Sequence, residues 1–151
     1  MRSRRAFFFF AFALLLGCAS GTAQFPGLIE PNAGKAVVYI YRVDLYAGYD
    51  RQAPQVRVNY ESIGPLMRSG YFRVEVDPGP AQVALYRLDK GDNVWGDDTF
   101  WRAAQDAIVN LKLAPNSTHF IEFTLDKFLF SFRETSRNRA LQSLPNLYLI
   151  N

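Results

Sequence analysis

The run AVVYIYR, residues 36–42, is apolar on both faces that an extended chain presents: Val37, Tyr39 and Tyr41 on one, Val38 and Ile40 on the other, with Arg42 ending the second row. Side chains of a strand alternate between the two faces of its sheet. A strand like this must therefore be covered on both sides, which makes it a central strand of a layered β structure. Later runs alternate in the simpler half-buried manner. QVRVNYESI sets Val56, Val58 and Tyr60 against Arg57 and Asn59, and YFRVEV sets Phe72, Val74 and Val76 against Tyr71, Arg73 and Glu75. Asp77-Pro78-Gly79-Pro80 has turn chemistry and predicts a hairpin between YFRVEV and AQVALYRLD. In DAIVNLKLA the core face is Val109, Leu111 and Leu113, and THFIEFTLD and KFLFSFRET supply two more strands. TSRNRALQSL reads as a short helix, capped by Thr135 or Ser136, striped by Ala140, Leu141 and Leu144 and stopped by Pro145. NLYLI can close the sheet.

Turn signals recur about every 8 to 12 residues, so the expectation is a mainly β domain: an antiparallel β-sandwich or open barrel of about seven strands, with one short peripheral helix near the C-terminus. A chain of 151 residues, 49% apolar and 15% aromatic, is one domain's worth and can bury a real core.

The amino-terminal residues have a different grammar. MRSRR is basic, residues 6–16 form an eleven-residue apolar stretch, and Leu15-Leu16-Gly17 leads into Cys18, the only cysteine. The stretch is too short for an ordinary spanning helix of about 20 residues and has the length of a signal-peptide core. Leu15-Leu16-Gly17-Cys18 resembles the lipobox of bacterial lipoproteins, with Leu16 departing from the smaller residue usual there. The resemblance implies cleavage after Gly17, a diacylglyceryl group on Cys18 and acylation (palmitate or a similar chain) of the new amino terminus. Ala19, rather than Asp, follows the cysteine, which by the same resemblance implies the outer membrane, with the domain facing the periplasm. An ordinary secretory signal cut near Ala19 or Ala23 is the alternative. The expected organisation is residues 1–17 as signal peptide, 18–35 as lipidated cysteine and flexible tether, and 36–151 as the β-sandwich. Export also accounts for the charge. Losing Arg2, Arg4 and Arg5 takes Lys and Arg from 17 to 14, equal to the 14 Asp and Glu. A neutral domain argues against nucleic acid as a partner.

The body carries a second resemblance. Tyr39, Tyr41 and Arg42, then Ile63, Gly64 and Leu66, then Gly70 and Tyr71, then Pro78 and Gly79 are similar to the pattern of a family of small bacterial lipoproteins that share a domain of unknown function. The match spans about residues 34–86. It implies a β-sandwich tethered to the envelope, and no activity. Asn59-Tyr60-Glu61-Ser62 departs from the Asp-Gly turn of that pattern, and without that glycine a tight turn with positive φ at both central residues is less favoured, though Asn59 tolerates it.

The material for chemistry is sparse. His119 is the only histidine and shares a strand face with Ser117, so a Ser-His pair is conceivable, against a half-exposed strand histidine. With Cys18 lipidated, a zinc site lacks ligands. Asp89, Asp92, Asn93, Asp97 and Asp98 form an acidic stretch without EF-hand spacing, best read as a solvated turn, and no metal or cofactor is expected. Asn116-Ser117-Thr118 matches a glycosylation sequon but sits in a turn. Trp95, Phe100 and Trp101 lie in one long loop and Tyr46 and Tyr49 in another. If these loops meet, they form an aromatic platform for a glycan, a peptide or an envelope protein; otherwise the rings cap the core. Arg42 is expected to pair with Asp44 or Glu75. The expected role is a non-catalytic binding or assembly module anchored to the membrane through Cys18. An envelope enzyme acting on peptidoglycan or lipid, and a purely structural subunit of an envelope complex, are the alternatives.

Overall fold

A computed structural model describes residues 24–44, 53–86, 107–126 and 129–151, the side chains of 125–130 excepted. Among the described residues, nine strands form two sheets: β1 (Ala36–Asp44), β2 (Gln55–Val58), β3 (Glu61–Pro65), β4 (Gly70–Val76), β5 (Gly79–Tyr86), β6 (Ile108–Leu113), β7 (Thr118–Asp126), β8 (Leu129–Glu134) and β9 (Tyr148–Leu149). One sheet runs β8-β7-β1-β4-β9 and the other β3-β2-β5-β6. The fold is a β-sandwich, and β1 lies third of five, as its doubly apolar pattern requires.

Each face of β1 has its own cover. Val38 and Ile40 enter the core between the sheets with Val56, Leu66, Phe72, Val83, Leu85, Ile121 and Phe123. Each such side chain, fully buried, contributes about 1.5–3 kcal/mol. Val37, Tyr39 and Tyr41 face outward, into a second cluster with Tyr71, Phe120, Ala140, Leu144 and Leu147. This outer face is covered by the helix α1 (Arg137–Ser143) and by the segment before β1, whose Phe25 and Leu28 pack on it. Phe25 meets Tyr71 and Tyr39 edge-on, with centroids 5.6 and 6.2 Å apart. Residues 24–35 fall inside the stretch read as a tether, and they lie along the domain as a strap.

Ser136 caps α1 by accepting from the Arg139 N–H, and Ala140 and Leu144 are buried while Leu141 is exposed. Pro145 stands in the 3-10 turn Leu144–Asn146 that continues the helix.

Three local features differ from the sequence expectation. Asp77-Pro78 does not make a hairpin: β4 pairs with β1 and β9, β5 with β2 and β6. The chain changes sheets there because Phe72, Val74 and Val76 and the row Ala81, Val83 and Leu85 meet across the core. Two pairings, β1 with β7 and β4 with β9, are parallel. QVRVNYESI is two strands rather than one, and Tyr60, expected on the core face, is 80% exposed in the turn. Asn59 and Tyr60 take φ of 49° and 71°, the positive pair that a two-residue hairpin turn demands. Asn59 makes this possible by bonding Gln82 twice, N–H to carbonyl and side-chain Oδ1 to N–H, each at 2.9 Å. The β2–β3 register then shifts at Val56/Arg57 opposite Gly64, whose φ of +125° suits glycine.

Candidate functional site

The strand register determines where the two aromatic loops are rooted. Loop 45–54 leaves the end of β1 and returns at Gln55; loop 87–107 leaves the end of β5 at Tyr86. Gln55 pairs directly with Tyr86, and Leu85 N–H bonds the Ala107 carbonyl at 3.0 Å. Both loops are therefore rooted at one end of the sandwich, together with the β3–β4 turn. Tyr46, Tyr49, Trp95, Phe100 and Trp101 themselves lie outside the described residues, as do Cys18 and the acidic group Asp89, Asp92, Asn93, Asp97 and Asp98.

Beneath those roots lies a buried ion pair. Arg42 is fully buried and donates through Nε to Asp44 Oδ1 at 2.6 Å; a guanidinium nitrogen reaches the Leu66 carbonyl at 3.3 Å. Its charge also sits 5.7 Å from the Phe123 ring centroid. Asp44 Oδ2 accepts no hydrogen bond among the described residues, and Arg68 Nε lies 3.6 Å from it. Of the two partners expected for Arg42, Asp44 is the one used; Glu75 bonds Arg73 at 3.0 Å and accepts from Asn32 of the strap. The Arg73 bond, seconded by Asn32, holds the Glu75 carboxyl below its ordinary range. Burying Arg42 and Asp44 is costly unless both are paired, so the pair fixes how β1 ends and how the β3–β4 turn seats.

The outer face holds a second polar knot. Glu122, buried, accepts from Arg139 Nε at 2.9 Å on each oxygen and from the Tyr41 hydroxyl at 3.1 Å. Burial, reinforced by the Glu122 charge, pushes the Tyr41 hydroxyl well above its usual range. This knot ties α1 to the sheet. Its sequence signal is a lone carboxylate within the apolar run HFIEF.

His119 lies toward the opposite end, where Val37 N–H bonds the Ser117 carbonyl. Its Nδ1 is 2.7 Å from Glu134 Oε1 and its Nε2 is 3.1 Å from Ser117 Oγ. The pair weighed from sequence thus meets, with a carboxylate behind it. The hydroxyl donates to the Ala114 carbonyl at 2.7 Å, however, so its one proton is engaged in closing the β6–β7 turn. A nucleophile must instead give that proton to Nε2. As built, Ser117, His119 and Glu134 pin a turn to β8.

Among the described residues, no group of His, Cys, Asp and Glu is placed to hold a metal ion, and no helix is long and apolar enough to cross a membrane. Comparison with family models, curated proteins and solved structures gives no match.

Proposed function

We propose that this chain is an exported lipoprotein, acylated at Cys18 and held on the periplasmic side of the outer membrane, whose β-sandwich is a binding or assembly module without chemistry of its own. The observation that carries the reading is the Gln55–Tyr86 pairing, which roots both aromatic loops at one end. Tyr46, Tyr49, Trp95, Phe100 and Trp101 all fall in those loops, both tryptophans of the chain among them. Large aromatic side chains are the usual anchors of glycan, peptide and protein contacts. The basic and apolar residues 1–17 ahead of Cys18 support the address.

Crosslinked pull-down of the tagged protein from membranes tests the module. A specific envelope partner recovered with the unaltered chain and lost with Trp95→Ala/Trp101→Ala supports it; recovery independent of both residues overturns the role of the loops. Cys18→Ser tests the address: lipid labelling and processing are expected to stop, and normal maturation sinks it. An envelope hydrolase is the second reading, favoured only by the alignment of Glu134, His119 and Ser117. It requires turnover of a peptidoglycan or lipid ester that Ser117→Ala abolishes.

A further inference from the structure

The strap changes where the anchor can be. If residues 18–35 were free, Cys18 could stand about 60 Å from the start of β1. Gln24, however, already bridges Tyr148 of β9, and its side chain reaches the Pro145 carbonyl at 3.5 Å. From there the strap runs along the outer face to Asn32 and Lys35, bonding Tyr39, Glu75 and Asp77 on the way. Only six residue steps separate Cys18 from Gln24, a reach of about 20 Å when fully extended.

Gln24 is docked at the loop end. Tyr148 pairs with Gly70, the first residue of β4, and its N–H bonds the Ser69 carbonyl at 2.9 Å. The β3–β4 turn beside it exposes Met67, 48% accessible, and Tyr148 itself is 46% accessible. Turning the opposite end to the bilayer would make the short segment span the height of β4, seven residues or about 23 Å, which consumes its whole reach. Turning the Gln24 corner to the bilayer demands nothing of it. The corner also has the chemistry of an interfacial surface: a flexible thioether and a phenol, which places its ring among acyl chains and its hydroxyl among headgroups.

From this geometry we infer that the corner formed by Gln24, Met67 and Tyr148 lies against the bilayer that holds the anchor, so that the loop end of the sandwich faces lipid headgroups and the Asp77–Pro78 end faces away. The inference rests on the Cys18 anchor proposed above. It narrows any partner of the loops to one present at the membrane surface.

The test uses full-length lipidated protein in phosphatidylethanolamine/phosphatidylglycerol vesicles, with single cysteines Met67→Cys or Lys112→Cys carrying a nitroxide. Lys112 is exposed and pairs with Pro80, near the far end. Collision with an aqueous nickel chelate is expected to be several-fold lower at position 67 than at 112. Inserting about twelve Gly/Ser residues before Gln24 adds about 20 Å of mean reach and is expected to bring position 67 up towards the value at 112. Equal accessibility in the lipidated, short-tethered protein overturns the inference while the anchor stands. Protection that survives the insertion overturns the claim that tether length sets it. A mature protein with no lipid mass on Cys18 removes the anchor and the inference together.

Discussion

Tyr60 carries strain that its neighbours tolerate. A side chain other than glycine in the left-handed region costs about 1–2 kcal/mol, and Tyr60, at φ 71° and largely exposed, recovers little of this by burial. Tyr60→Gly is therefore expected to raise unfolding stability by about 0.5–1.5 kcal/mol in urea titration, the gain reduced by the extra freedom of glycine in the unfolded chain. Asn59→Ala is expected to act the other way, because it removes the acceptor of the Gln82 N–H. Arg42 is the opposite kind of residue, paired and needed for as long as Asp44 is buried beside it. Replacing it with Met leaves Asp44 buried without its 2.6 Å partner. A loss of about 3–5 kcal/mol is expected, and Arg42→Met/Asp44→Leu should recover much of it, since a buried pair replaced by apolar residues of similar size is often neutral. Denaturant midpoints of the two variants check this, and equal losses would show that the pair is not the cause.

Among the elements, the strap and α1 are two covers on one sheet face, and pH acts on them from opposite sides. Glu75 holds the strap through Asn32, and its carboxyl titrates below its ordinary value of 4.5 because Arg73, chiefly, and Asn32 stabilise the charged form. A depressed carboxylate contributes fully above that value and loses its contribution as pH falls through the lower, folded-state value. The Asn32 amide is therefore expected to lose hydrogen-exchange protection as pH falls below 4.5 and through that lower value, before the core amides of β1 do. Beneath α1 the sign reverses. Tyr41 is raised above 10.0 by burial and by Glu122. Its contribution is complete below 10.0 and is lost as pH climbs towards the raised value, because the unfolded chain ionises first. Tyr41→Phe is expected to cost about 0.5–1.5 kcal/mol at neutral pH and to flatten the alkaline decline of stability, read as the melting temperature between pH 8 and 11.

At the scale of the whole molecule, what could be read from the sequence follows the range of the forces involved. The central position of β1, the core rows of β4 and β6, and the Ser136 cap were legible because alternation and capping are local. The passage from one sheet to the other at Asp77-Pro78 and the parallel β1–β7 pairing were not. Apolar rows specify that they face a core, and say nothing of whether they meet side by side or across it. The strap was missed for a related reason: Phe25 and Leu28 stand among Gly and Pro without period, and only the outer row Val37, Tyr39 and Tyr41, apolar and in need of cover, hinted that something must lie there. Of the candidate site, the Arg42–Asp44 pair was legible from spacing along one strand; the Ser117–His119 meeting was only conceivable from it, because Ser117 stands in the turn before β7. Glu134 and Arg139 come from other elements and were not. The strap's weight can be measured by truncation. A chain beginning at Gln24 keeps every described contact and is expected to match the stability of the mature protein. One beginning at Ala36 exposes Tyr39 and Tyr71, which Phe25 covers, and forfeits the burial of Phe25 and Leu28. A fully buried side chain of this kind is worth about 1.5–3 kcal/mol; these two are only partly buried and ordering the strap opposes the gain, so the expected loss is about 2–4 kcal/mol. Equal midpoints for the two truncations would mean that the strap decorates the sheet without sealing it, and that the distance from Cys18 to the domain is set by a longer leash.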